Sequence, residues 1–155
     1  MSATVEAAAP AESPAIVAFR QAFQAQSIAG RFTDQQLELI YRVGYQQYQS
    51  GQYLEAVRCF LLLTVYRPFS LRYLKALALA QFMVRHYEQA ALTCSFLLVL
   101  DPTDVEALYV GGQALLLDGQ KVEARKCLAE AVSQAERRPD IGKRAQAILE
   151  LMDRK

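Results

Sequence analysis

Tyr53, Ala56 and Pro68 recur 34 residues later as Tyr87, Ala90 and Pro102. A third copy begins near Val105: Ala124 follows Ala90 by the same 34 residues, and Gly44 and Gly51 return as Gly112 and Gly119. A fixed period of this kind marks a supersecondary unit that cannot bury its apolar face alone. Copies of it must stack, and three copies are about the minimum that makes a stable array. The chain of 155 residues, 53% hydrophobic, is long enough for one such array and hardly for two domains.

A period of 34 is the tetratricopeptide length, and the residue types follow that pattern. With Leu37, Leu71 and Val105 as position 1, the small position 8 is Gly44, Ala78 and Gly112, and position 20 is Ala56, Ala90 and Ala124. Position 24 is Phe60, Cys94 and Leu128, and position 32 is Pro68 and Pro102, with no proline in the third copy. Each repeat is expected to be two antiparallel helices, A and B. Small side chains at positions 8 and 20 let them approach, larger ones at positions 4, 7, 17 and 24 fill the surrounding space, and Pro stops helix B because it has no N–H to donate.

These signals predict helices near 34–49, 53–66, 71–84, 87–99, 104–117 and 121–135. Thr33 with Gln36 reads as a capping box for the first A helix, Ser70 as N-cap of the second, and Thr103 with Glu106 as a capping box for the third. Asp140 to Met152 has helical apolar spacing and is expected to close the solenoid. The expected fold is all-α: residues 33–155 form the three-repeat domain with its closing helix, and residues 1–32 a variable segment. That segment contains Ser13-Pro14, a helix start, followed by an amphipathic stretch with Ile16, Val17, Phe19 and Phe23. A stretch this apolar should pack on the solenoid, on a second subunit or on a partner.

The formal charge is +1, so no global field favours or repels nucleic acid. No run approaches the roughly 20 apolar residues of a membrane span, and Met1 to Pro14 has no Lys or Arg to begin a secretory signal. The expectation is a soluble protein of the cytoplasm. Cys59, Cys94 and Cys127 include no CxxC and read as reduced thiols packed as small hydrophobes. His86, the sole histidine, falls in a turn with no nominated catalytic partner, and no phosphate loop, nucleophile elbow or zinc motif occurs. Neither an enzyme nor a metal or cofactor site is expected.

The informative surface is the concave one, which A helices line with positions 2, 5, 9 and 12. In the first repeat positions 5, 9 and 12 are Tyr41, Tyr45 and Tyr48, on one helix face. The second repeat places Arg72, Lys75, Leu79 and Phe82 at positions 2, 5, 9 and 12, and the third Glu106, Tyr109, Gln113 and Leu116. Tyrosine gives large contact area at low rotamer cost and a hydroxyl for a ligand backbone. Tyr41, Tyr45, Tyr48, Leu79, Phe82, Tyr109, Gln113 and Leu116 are therefore the candidate peptide groove. The competing reading is that the tyrosines only pack between repeats. Tetratricopeptide domains that clamp the acidic tails of heat-shock chaperones carry Lys and Asn where this chain has Tyr41 and Tyr45, and Lys and Arg where it has Glu106 and Val110, so that function is not expected.

The stretch Ile40 to Ala56, I-Y-x-x-G-Y-x-x-Y-x-x-G-x-Y-x-x-A, resembles the opening repeat of the class II chaperones of bacterial type III secretion, the SycD/LcrH/IpgC type. KRAQAIL at 143–149 is similar to that family's final helix, and the resemblance covers about residues 33–152. It implies a chaperone of the bacterial cytoplasm that keeps hydrophobic translocator proteins soluble and apart before export. An extended Pro-x-Leu-x-x-Pro segment of the translocator would lie along the groove residues. It also implies a homodimer formed through the N-terminal region, with Ile16, Phe19 and Phe23 as candidates. Arg72 and Lys75 depart from an apolar lining. A chaperone for another secretion substrate, such as the needle subunit, and a generic protein scaffold are the alternatives.

Overall fold

A computed structural model describes Pro14, Val17, Ala18, Gln21 and residues 32–154. The dimer candidates Ile16, Phe19 and Phe23 lie outside the described residues. From Asp34 onward there are seven helices: α1 Asp34–Gln49, α2 Tyr53–Tyr66, α3 Leu71–Met83, α4 Tyr87–Leu100, α5 Val105–Leu117, α6 Lys121–Ser133 and α7 Pro139–Asp153. Each packs on the next in sequence, and the second-neighbour contacts of any extent join α1 to α3, α3 to α5 and α5 to α7. All of these are A helices or the closing helix, so they form the inner layer and the B helices the outer one.

The helix boundaries follow local chemistry. Thr33 Oγ1 accepts from the Gln36 N–H at 3.2 Å, and Gln36 Oε1 accepts from the Thr33 N–H at 2.9 Å, which completes the capping box. Ser70 caps α3 by accepting from the Tyr73 N–H. The third A helix differs from expectation. Its N-cap is Asp104, whose Oδ1 accepts from the Ala107 N–H at 3.0 Å, and the helix starts at Val105. Thr103 is diverted: its hydroxyl donates to Asp101 at 2.8 Å and accepts from Arg137 at 2.6 Å, so no Thr103–Glu106 box forms. A carboxylate next to a hydroxyl is a strong competitor for the same helix N–H groups.

The small positions behave as expected. Ala56, Ala90 and Ala124 are fully buried. A Cβ on Gly44 would stand 2.8 Å from Cys59 Cβ and 2.8 Å from Phe60 Cε1, and one on Gly112 would stand 2.8 Å from Leu128 Cγ. Only hydrogen fits there, which is why the A and B helices of repeats one and three can touch. Position 7 is not uniformly core. Leu77 is buried, Val43 is 43% exposed, and position 7 of the third repeat is Gly111, which admits Cys94 Cβ to 3.0 Å of where its own Cβ would be.

The turns inside the repeats need a left-handed residue. Gly51 has φ +80° and Gly119 has φ +89°. The second repeat places Arg85 in the same slot at φ 63°. The closing helix buries Ile141 and Ala145 against Leu128 and Ala131, and a Cβ on Gly142 would overlap Ala135. This covers the apolar edge that a further repeat would otherwise cover.

Candidate functional site

Tyr41, Tyr45 and Tyr48 of α1 face Arg72, Lys75, Ala76 and Leu79 of α3 across a cavity of about 190 Å³, with Phe60 of α2 at its floor. Four turns of α1 place the tyrosines in register because positions 4 and 7 apart share a helix face. Tyr45 is 48% exposed. Its ring stacks on Tyr41 with centroids 6.2 Å apart and planes 14° from parallel. Tyr41 is anchored beneath by Phe60 at 5.8 Å and Tyr73 at 5.7 Å. Tyr48 meets Tyr53 edge-on at 5.4 Å. Burial, with the neighbouring tyrosines, raises the Tyr48 hydroxyl above its ordinary range, so it remains a hydrogen-bond donor. The rings thus form a rigid, apolar ledge with Tyr45 uppermost.

The two cations on this face are already partnered. The Arg72 guanidinium grips Glu38 of the preceding repeat at 2.7 and 3.2 Å and lies 3.7 Å from the centre of the Tyr41 ring. That bidentate bond holds the Glu38 carboxyl below its usual range. Lys75 pairs at 2.5 Å with Asp104, whose side chain is nearly buried. Both ties cross a repeat boundary, so charges that looked out of place in an apolar groove serve to join neighbouring A helices. An aromatic ledge beside neutralised cations suits an extended apolar peptide, whose backbone can bond to tyrosine hydroxyls.

The eight residues expected in one groove do not share one cavity. Tyr41, Tyr45, Tyr48 and Leu79 do. Phe82 packs edge-on to Tyr87 at 5.5 Å and against the cluster of Ala90, Ala91 and Ala114. Tyr109 is wedged half-buried between the second and third core clusters. Gln113 and Leu116 line a separate cavity with residues of α6 and α7. Position counting within A helices finds inner-face residues but says nothing of the closing helix, whose Ile148, Leu151 and Met152 share a face.

The thiols supply no nucleophile. Burial pushes Cys94 up to about 12 and raises Cys59 and Cys127 as well, so all three stay protonated near neutrality. Among the described residues no helix is long and apolar enough to cross a membrane.

A tetratricopeptide-repeat family model matches residues 37–68 and 71–104, the first two repeats. No curated protein sequence matches the chain. Among solved structures, PcrH, the Pseudomonas aeruginosa protein, in complex with the chaperone binding region of PopD is 25% identical, with TM-score 0.73 over 81% of this chain and 96% of that one. The Yersinia enterocolitica translocator chaperone SycD with a peptide of the translocator YopD is 24% identical, with TM-score 0.73 over 80% of this chain and 97% of that one. The fold is that of the type III secretion translocator chaperones. A type III secretion complex from Aeromonas hydrophila has TM-score 0.78 at 24% identity, over 91% of this chain and 96% of that one. The translocator-chaperone fold thus accounts for the three helix pairs and the closing helix alike, although the family model stops at residue 104.

Proposed function

We propose that this protein is a chaperone of hydrophobic type III secretion translocators. It holds an extended Pro-x-Leu-x-x-Pro-like segment along the inner face of its A helices and keeps its partner soluble until export. The observation that carries the reading is the half-exposed Tyr45 stacked above a fixed aromatic ledge, in a cavity open to the inner face. The similarity to PcrH, solved with the chaperone binding regions of PopD and of PopB, supports it. No bond need be made or broken. Covering a sticky segment lowers the free concentration of the aggregating state, and prolines in the ligand reduce the entropy lost on ordering it. The protein is assigned no catalytic activity, and its place of work is the bacterial cytoplasm. We also assign a homodimer to the region before Thr33, through Ile16, Phe19 and Phe23. Sedimentation of the full chain beside a 33–155 truncation tests that, with a monomeric truncation as the expected result.

Calorimetric titration of a Pro-x-Leu-x-x-Pro peptide into the full chain and into a Tyr45→Ala, Tyr48→Ala variant tests the groove. Removing two aromatic anchors should weaken binding at least tenfold, by the usual size of a hot-spot loss of about 1–2 kcal/mol. A folded variant that binds as the parent does would overturn the placement. An absence of saturable binding to the parent would shift the assignment to a helical ligand, as a needle-subunit chaperone would hold, or to a scaffold.

A further inference from the structure

A second and larger cavity, of about 710 Å³, lies at the far end of the solenoid where the end of α5, the start of α6 and the second half of α7 meet. Leu116, Leu117, Val122, Ile148, Leu151 and Met152 form its apolar walls. Leu117 is 55% exposed, Val122 64% and Leu151 60%. Single exposed apolar side chains are ordinary on a protein surface, but these converge on one opening from three helices. The space exceeds what one side chain fills and falls in the range of ligand sites.

The rest of the lining sets the charge of the occupant. Lys121 and Arg125 stand at the edge, and no carboxylate belongs to the lining. Arg125 is held by Asp153 at 2.7 Å. Among the described residues Lys121 has no ion pair. The cavity is also continuous with the inner face. Gln113 and Leu116 hold positions 9 and 12 of the third repeat, the positions Tyr45 and Tyr48 hold in the first, and both line this cavity. A ligand running along the A helices from Tyr45 past Leu79 arrives here without leaving the surface.

We propose that this end cavity is a second docking site, for an apolar peptide segment that carries a carboxylate, supplied by the same exported partner that occupies the tyrosine groove. The partner's identity rests on the reading above; the chemistry of the segment rests on the cavity's own walls. Leucine-type side chains fill the space, and an acidic side chain pairs with Lys121. Two segments of one chain bound at two sites gain affinity through effective concentration, with no new contact.

The probe is a fluorescein-labelled, C-amidated peptide, Leu-Glu-Ala-Leu-Leu-Glu, beside its glutamine counterpart, titrated at low salt into the full chain by fluorescence anisotropy. The glutamate peptide should bind saturably and at least fivefold more tightly than the glutamine one. Lys121→Glu should abolish that preference. A Val122→Asp, Leu151→Asp variant, both changes at exposed positions, should weaken binding at least tenfold with an unchanged circular dichroism spectrum. Tyr45→Ala should leave it unaltered, so failure of the groove reading and failure of this one are separable. Equal binding of the two peptides, or parent-like binding by the double aspartate variant, overturns the site. Joining the hexapeptide to a Pro-x-Leu-x-x-Pro segment by a flexible linker should give at least tenfold tighter binding than either alone, and no gain would overturn the common partner.

Discussion

Gly112→Ala sets two known effects against each other inside one buried contact. Alanine is favoured over glycine in a helix interior by about 1 kcal/mol. Against that, the new Cβ would lie 2.8 Å from Leu128 Cγ, 3.0 Å from Leu128 Cδ2 and 3.3 Å from Cys127 Cβ. Carbon atoms prefer about 3.5–4.0 Å, so the first overlap is roughly 0.7 Å. Leu128 is fully buried, and its Cγ is a branch point one bond from Cβ, so rotation does not clear the clash. α5 and α6 must separate, which loosens the fully buried Ala124 in the same seam. Overpacking of this kind costs about 1–3 kcal/mol, and a blocked escape places it in the upper part of that range. The net loss is about 1–2 kcal/mol, or a Tm lowered by about 2–8 °C for a chain of this size. Urea denaturation followed by helical circular dichroism measures it. In a cycle with Leu128→Ala the double variant should be more stable than the sum of the singles by about 1 kcal/mol or more. A Gly112→Ala protein as stable as the parent, or more so, would refute the reasoning, because propensity would have prevailed and the helices would have slack.

Arg85→Gly should stabilise the fold by about 0.5–1 kcal/mol, since a side chain at φ 63° is strained where Gly51 and Gly119 are not; thermal melting that shows a loss instead would mean that the Arg85 side chain contributes more than the strain removes. Asp104→Ala removes both the N-cap of α5 and the partner of Lys75, and should cost about 2 kcal/mol by chemical denaturation, against about 1 for an N-cap alone. The Glu38 carboxyl is lowered below its ordinary 4.5 by Arg72. Its contribution is therefore complete above the ordinary carboxylate range and is lost as pH falls through the lowered value. Titrating Glu38 by NMR should show this, and Arg72→Gln should return the carboxyl to its ordinary range. An unchanged titration would break the assignment of the Arg72–Glu38 tie.

The period of 34 residues carried most of the fold. Small residues at positions 8 and 20 and the capping residues Thr33 and Ser70 are local signals, and each helix they imply is present to within two residues at its ends. The Thr103–Glu106 cap was misread because Asp104, one residue on, competes for the same N–H groups and has Lys75 behind it, a partner 29 positions away in sequence. Arg85 was legible only in hindsight, as the residue standing where the other two repeats have glycine.

The groove divides the same way. Periodicity alone determined that Tyr41, Tyr45 and Tyr48 share a face, because a helix repeats every 3.6 residues whatever surrounds it. It could not say that Phe82 and Tyr109 would be drawn into the core, that Arg72 and Lys75 would be neutralised by the neighbouring repeat, or that Gln113 and Leu116 would open onto a cavity walled by α7. Those outcomes depend on which helices meet. Repeat spacing dictates the contacts within and between successive pairs, but the closing helix lies outside the period, and only its packing on α6 decides what the end of the solenoid leaves exposed.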